Sequence, residues 1–303
     1  MSNGALFFIT AFIWGTTWYA ITFQLGDVPK EWSLFYRFIL ASGILFLISY
    51  FTKRRLKFEL KDHQLFFGLG ILLFSVNYYY SYAGVELLTS GLVAIVFSSM
   101  TLMNIINARI FLKRPIEIPI LIAALVGMTG IILLFLPEVE KFNLEDTSVL
   151  GFWVALAGGY TASLGNSLAA TKRAKTLPVI PTNAWGMLYG SILIAVFALF
   201  TGKPIAISTS LPYLLSLGYL AIFGTVIAFT SYLVLIGRVG PERAGYFAVL
   251  YPVVALFIST IFENYQWSNL AFVGLALVLG GNYVVLKKKQ EIAEEKAHEN
   301  IDA

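Results

Sequence analysis

The chain has 303 residues, 58% of them hydrophobic and only 13% charged, with a mean hydropathy of +0.78 and a formal net charge of +4. Soluble domains are nearer half apolar and one quarter charged, so water is not the solvent for most of this surface. Cysteine is absent, which excludes disulfides, thiolate nucleophiles and cysteine-held metals; the two histidines, His63 and His298, lie in a charged loop and in the tail, which argues against a histidine metal site or buried proton relay.

Crossing about 30 Å of hydrocarbon takes roughly 20 apolar residues. Ten such runs follow one another, at 4–25, 32–52, 64–84, 88–112, 116–136, 149–171, 180–201, 211–236, 242–262 and 267–286. The first begins Met1-Ser2-Asn3-Gly4, without the basic side chains of a cleaved signal, and its run is too long for one. Loop charge sets the expected orientation. With the N-terminus inside, seventeen of the 21 basic residues face the cytoplasm, from Lys53, Arg54 and Arg55 to the cluster that opens at Lys287. Lys30, Lys141 and Lys203 fall outside, and Arg37 lies within a helix. The fold class expected is an all-α membrane protein of ten transmembrane helices, both termini cytoplasmic, in a cell inner membrane.

The segment from Thr89 to Asn104 recurs half a chain later. A shift of 151 positions sets Thr89 on Gly240, Ala94 on Gly245, Met100 on Tyr251, Thr101 on Pro252, Phe111 on Phe262 and Gly130 on Gly281. The register holds without a gap over residues 89–130. Five helices per repeat is an odd number, so the halves insert upside down relative to one another: residues 1–140 and 148–287 as inverted repeats, 288–303 as a cytoplasmic tail. Inverted repeats suit alternating access to a site between them.

No carboxylate sits mid-span; Glu86, Glu117, Glu242 and Glu263 all lie at helix ends. A buried acid or histidine is the usual proton carrier and the usual start of intramembrane catalysis, so neither proton coupling nor an enzyme is expected. Arg37 is the exception, about 9 Å of rise into the second helix. It reads either as an outer lure for a substrate carboxylate or as a cation snorkelling or bonded to a neighbouring helix end.

Polar and aromatic residues fall on stripes at helical spacing: Thr10, Trp14, Thr17 and Trp18; Ser75, Tyr78 and Tyr82; Thr101, Asn104 and Asn107; Tyr160, Ser163 and Ser167; Trp185 and Tyr189; Thr225 and Tyr232; Tyr246 and Tyr251. Facing inward, they would line a neutral cavity that hydrogen-bonds and stacks on a solute; interhelical bonding is the alternative for any one of them. The substrate-binding candidates are Trp14, Thr17, Arg37, Tyr78, Tyr82, Asn104, Tyr160, Trp185, Tyr232 and Tyr251. Leu45 and Val278 are expected to face lipid. Pro252 should kink the ninth helix, and Ala123 with Gly127, and Ala276 with Gly280, give small faces for close packing.

The pattern resembles the EamA-type branch of the drug/metabolite transporter superfamily. The residues that carry it are Trp14-Gly15-Thr16-Thr17-Trp18, Arg37, Leu88-Thr89-Ser90-Gly91, Gly240-Pro241-Glu242-Arg243-Ala244, Tyr251-Pro252-Val253, Phe262-Glu263 and Gly280-Gly281. Two departures stand out: Leu112-Lys113-Arg114 where the family often has an acid, and Thr101 where it often has proline. The resemblance implies a carrier without fixing its cargo, and the leading expectation is export or exchange of amino acids or similar small metabolites. The alternatives are uptake or exchange of a larger metabolite, such as a vitamin or nucleoside derivative, and a non-transporting scaffold. The expected partners are a small-molecule substrate and the lipid bilayer, not nucleic acid, with the chain a monomer or homodimer; no cofactor or metal is expected.

Overall fold

The computed structural model describes residues 1–88, 93, 96–134, 136, 147–262 and 267–281. Residues 89–92, the acidic loop 138–146, Glu263 and the tail from Lys287 lie outside the described residues. Among the described residues all regular structure is helical.

Helix α1 (Asn3–Thr22) opens on Ser2, whose Oγ accepts the Ala5 N–H at 3.2 Å and so satisfies one orphan donor of the first turn. Helices α2 (Lys30–Phe51) and α7 (Val179–Phe200) each have 22 residues and each follow a proline, Pro29 or Pro178. Helix α3 begins at Leu60 with a capping box between Glu59 and Asp62, widens into a π turn at Leu72–Val76 and ends at Leu87. Helix α4 (Met100–Leu112) stops at Lys113, in the left-handed conformation at φ 55°. Helices α5 (Ile118–Leu134) and α6 (Ser148–Ala169) follow, then a one-turn helix, Lys172–Lys175, ahead of α7. Helix α8 runs Leu211–Val239 through a second π turn, Ile222–Ile227. Gly240, at φ 89°, ends it, and Pro241 starts the next turn at once. Helix α9 (Phe247–Phe262) continues through Pro252, and α10 covers Asn269–Gly281. Among the described residues, four helices are long and apolar enough to cross a bilayer: α1, α2, α7 and α8.

The two π turns lie 151 positions apart, Leu72 against Phe223 and Val76 against Ile227. Packing repeats in the same sense. α1 lies against α8 and α9, α6 against α3 and α4, and α2 runs along α7. α3 packs on α7 much as α8 packs on α2.

Glycines permit the closest approaches. A Cβ on Gly70 of α3 would stand 2.9 Å from the Gly186 carbonyl of α7, and one on Gly274 of α10 would stand 2.5 Å from the Gly130 carbonyl of α5. The packing face of α10 is therefore Gly274, Val278 and Gly281, spaced i, i+4 and i+7. Ala276 and Gly280 point away from it, which corrects the small-residue pairing expected for this helix; nothing lies within 4 Å of a Cβ at Gly280. Gly127 does make its contact, against Val249 of α9. Leu45 and Val278, expected to face lipid, are both buried among helices. Every apolar side chain here has hydrocarbon on either side of it, so hydropathy alone does not tell lipid from core.

Candidate functional site

A cavity lies at the centre of the bundle between α1, α3, α4, α6, α8 and α9, with about 80 Å3 open to water centres, several times what one water needs. Helix α1 sends in Trp14, Thr17 and Trp18 at i, i+3, i+4, while its Gly15 turns to α9, where a Cβ would collide with Val254. Around Trp14 the rings of Phe247, Phe229 and Tyr232 pack edge-on or tilted, with centroids at 4.7, 4.9 and 5.2 Å. Trp18 stacks on Tyr251 at 6.1 Å. These spacings are those of favourable aromatic pairs, so the rings brace one another. Thr17, Asn77, Ser81 and Asn166 add hydroxyl and amide groups, and no ionised side chain lines the cavity. Such a chamber offers stacking faces and neutral hydrogen-bonding groups.

Arg37 stands behind this wall. It is 1% exposed, so it is not at the outer surface as a lure. Its Nε donates to Thr225 Oγ1 at 2.9 Å, Nη2 to the Gly224 carbonyl at 3.4 Å and Nη1 to the Tyr82 hydroxyl at 3.4 Å. The guanidinium also lies 4.7 Å from the ring centroid of Tyr78, which separates it from the cavity. Gly224 and Thr225 belong to the π turn of α8, where the wider turn takes backbone groups off the α-helical ladder. The Gly224 carbonyl receives a second donor, Trp14 Nε1, at 3.0 Å. Arg37 and Trp14 thus pin one π turn from two helices. By helix register the partner of Arg37 in α7 is Gly186, and that of Thr225 in α3 is Phe74. There, the Phe74 ring fills the room over Gly186, and its Cβ and backbone lie over Gly190. The two π turns are held by opposite chemistry, one polar and one apolar.

The structure brings Trp14, Thr17, Tyr78, Tyr232 and Tyr251 together around the cavity. Tyr82 is wholly buried beside Arg37 and does not line it. Asn104 sits one layer behind: its Oδ1 accepts from Asn166 Nδ2 at 3.2 Å, and its amide packs on Gly245. Asn107 likewise bonds Ser163 at 2.9 Å, so this stripe joins α4 to α6. Tyr160 faces outward at 46% exposure. It is two residues from both Gly158 and Ala162, which point inward, and two residues turn a helix by about 200°. Trp185 packs edge-on against His63 at 4.8 Å and donates to the Leu56 carbonyl at 3.3 Å, at the end of the bundle where α3 begins. The sequence reading of candidates missed Asn166, Asn77 and Ser81. Asn166 is three residues from Ser163 on the same stripe, which was signal enough; Asn77 and Ser81 flank Tyr78 at i and i+4.

Beyond the cavity, two sets of polar contacts tie opposite ends of the bundle. Where α1 ends and α8 begins, Gln24 Nε2 donates to the Tyr213 carbonyl at 2.9 Å and to Ser216 Oγ. Where α6 ends and α3 begins, Arg173 Nε donates to the buried Asp62 carboxylate at 2.8 Å, and Glu59 joins at 3.3 Å. The hydrogen bond to Asp62, and then its charge, raise the Arg173 guanidinium above its ordinary pKa. Arg243 pairs with Glu117 at 2.5 Å and Lys30 with Glu86 at 2.6 Å.

An apolar, wholly helical chain wrapped round a neutral chamber is a multi-pass membrane protein. The model of the EamA-like transporter family matches it twice, over residues 2–136 and 150–287. The chain belongs to the EamA-like transporter family. It is 24% identical over 306 residues to protein PagO of Salmonella typhimurium, covering 99% of this chain and 98% of that one. It is 28% identical over 285 residues to the protein named uncharacterized inner membrane transporter YedA of Escherichia coli K12, covering 91% and 89%. A solved crystal structure superposes with a TM-score of 0.79 at 17% identity, over 96% of this chain and 98% of that one, which shows a shared fold.

Proposed function

We propose that this protein is an inner-membrane transporter that exports or exchanges amino acids or similar small zwitterions by alternating access around the central cavity. The observation that carries this reading is the cavity itself, built by helices of both halves from aromatic rings and neutral polar groups. Stacking and hydrogen bonding suit a solute with an apolar part and a polar head, and the modest volume favours a compact cargo over a vitamin or nucleoside derivative. Ten crossings in two inverted repeats, 1–140 and 148–287, are part of the proposal. Support comes from the double family match, the paired π turns and the exchange of α1–α8–α9 for α6–α3–α4 packing. Loop charge supports cytoplasmic termini.

The test compares metabolites inside and outside cells that lack or overproduce the protein, then measures efflux of the responding solute at matched membrane abundance. Tyr78→Ala and Tyr232→Ala should each reduce efflux about five- to 150-fold, the loss of one stacking or hydrogen-bonding partner. Tyr160→Ala, on the outer face, should transport normally. Normal efflux by both cavity variants would move the site elsewhere.

A further inference from the structure

A second cavity, of about 200 Å3, continues the line of the first toward the end of the bundle where α3 begins and α8 ends. The two share walls one helical turn apart. Leu73 of α3 lines the central cavity and Leu69 the second; Asn166 and Ala169 of α6 are divided in the same way, and on α8 Tyr232 lines the first while Val234 and Gly237 line the second. A partition one turn thick therefore separates them. The walls of the second cavity are apolar apart from three groups: Lys175, Arg238 and Thr182.

Those three are arranged unlike anything at the opposite end. Thr182 is 5% exposed, and its Oγ1 has no hydrogen-bond partner. It stands in the first turn of α7, whose N-cap, Pro178, offers that turn no side-chain hydrogen bond. Arg173, close by in sequence, is taken up by Asp62 and Glu59, whereas Lys175 pairs with no carboxylate among the described residues. Arg238 spends Nη1 on two neutral acceptors, the Met1 carbonyl and Asn3 Oδ1, at 3.0 and 3.1 Å. By helix register the counterparts in the first half are Gly26 for Lys175, Leu87 for Arg238 and Ser33 for Thr182. Ser33 is fully engaged, with Oγ donating to the Gln24 carbonyl at 3.2 Å and lying 3.1 Å from the Tyr213 hydroxyl. Among the described residues, this end of the bundle thus carries two cations without a carboxylate partner beside an unused buried hydroxyl, whereas Ser33 at the other end is engaged.

We infer that the second cavity is a vestibule of the solute path and that Lys175, Arg238 and Thr182 Oγ1 form a docking site there for the carboxylate of an anionic or zwitterionic cargo. This rests on the transport reading above and adds to it a negatively charged group on the cargo. An uncapped helix start with two flanking cations attracts an anion, and the hydroxyl supplies a directed donor. Both cations stand exposed at the rim of the vestibule, where an arriving anion meets them first, and Thr182 lies buried behind them. The central chamber, with no charge of its own, then receives a solute already oriented head-first.

The experiment measures binding of propionate and of propionamide, which match in size and shape and differ in charge, to the purified full-length protein in nanodiscs of zwitterionic lipid. Propionate should bind at least about tenfold more tightly than propionamide, the weight of one charge-assisted hydrogen bond. Lys175→Gln and Arg238→Gln should each weaken propionate about tenfold, Lys175→Arg should restore it, and Thr182→Val should weaken it less. Tyr160→Ala, on the outer face of α6, should leave propionate binding unchanged. Equal binding of acid and amide, or propionate binding that survives the Lys175→Gln/Arg238→Gln double variant, overturns the site. So does loss of propionate binding when phosphatidylglycerol is added to the nanodisc, which assigns the pocket to a lipid headgroup. Failure of the transport reading is seen separately, in the efflux of the cavity variants.

Discussion

Arg37 bonds a hydroxyl of one helix, a hydroxyl of another and a carbonyl freed by a π turn, and no carboxylate lies among these partners. Hydrogen bonds to a charged group contribute about 1.5–3 kcal/mol each, less where they are as long as 3.4 Å. Arg37→Met should therefore lower stability by about 2–4 kcal/mol, since Trp14 still caps Gly224 and Thr225 still donates to the Leu220 carbonyl at 2.8 Å. Arg37→Lys should do no better, because a single ammonium cannot reach three acceptors held by a planar fork. Thermal unfolding in detergent measures both; wild-type stability in Arg37→Lys would remove the pinning role. At this scale the sequence marks which residues are unusual more readily than what they touch. Arg37 is conspicuous in an apolar helix, yet its partner carbonyl depends on a π turn that leaves no trace in hydropathy. Trp14, Thr17 and Tyr232 were legible as inward stripes, whereas Tyr160 shares a polar stripe by spacing and still faces out, because the buried face of α6 is centred on Gly158, Ala162, Ser163 and Asn166, off the line through Tyr160.

At the scale of elements, the π turn of α8 sets which face of Ala228–Val239 meets the cavity. A residue added to a regular α-helix rotates everything beyond it by about 100°. Insertion of one alanine after Ala228, beyond the π turn, should let α8 still span the membrane while carrying Phe229 and Tyr232 off the cavity wall. Efflux should fall to background with the protein still present in the membrane; retained efflux would mean that these two rings are not needed at the site. The α5–α10 crossing gives a second contrast. Gly274→Ala puts a Cβ 2.5 Å from a backbone carbonyl that cannot move alone, so the helices must part, with a loss of about 1–3 kcal/mol. Gly280→Ala meets open space and should change stability little, as thermal unfolding of the pair will show. The sequence announced that α10 packs through small residues. It did not say which face, because glycines recur along this helix at several helical spacings, and backbone contact, not spacing alone, selects one set.

Across the whole molecule the bundle is organised by two latches at opposite ends. Gln24 with Tyr213 and Ser216 closes the end where α1 meets α8; Arg173 with Asp62 and Glu59 closes the end where α6 meets α3. In the proposed repeat Gln24 corresponds to Arg173 at a shift of 149 and Asp62 to Tyr213 at a shift of 151, which would give each latch the place in one half that the other has in its counterpart. Both are closed here, with the chamber between them. If the halves rock about the central cavity, each latch must open in turn, and holding either one shut should halt the cycle. The chain has no native cysteine, so paired cysteines can be placed at these positions without background. Gln24→Cys/Ser216→Cys and Asp62→Cys/Arg173→Cys should each lose transport when bridged by a short bifunctional thiol reagent with a reducible link. Reduction should restore it, and the single-cysteine variants given the same reagent should keep it. A labelling probe adds the direction: fixing the first latch should leave a cysteine at Thr182 reactive from the vestibule, and fixing the second should protect it. Transport that continues with either latch bridged at full yield would show that these ends do not move, and that the solute takes a path other than the axis through the two cavities.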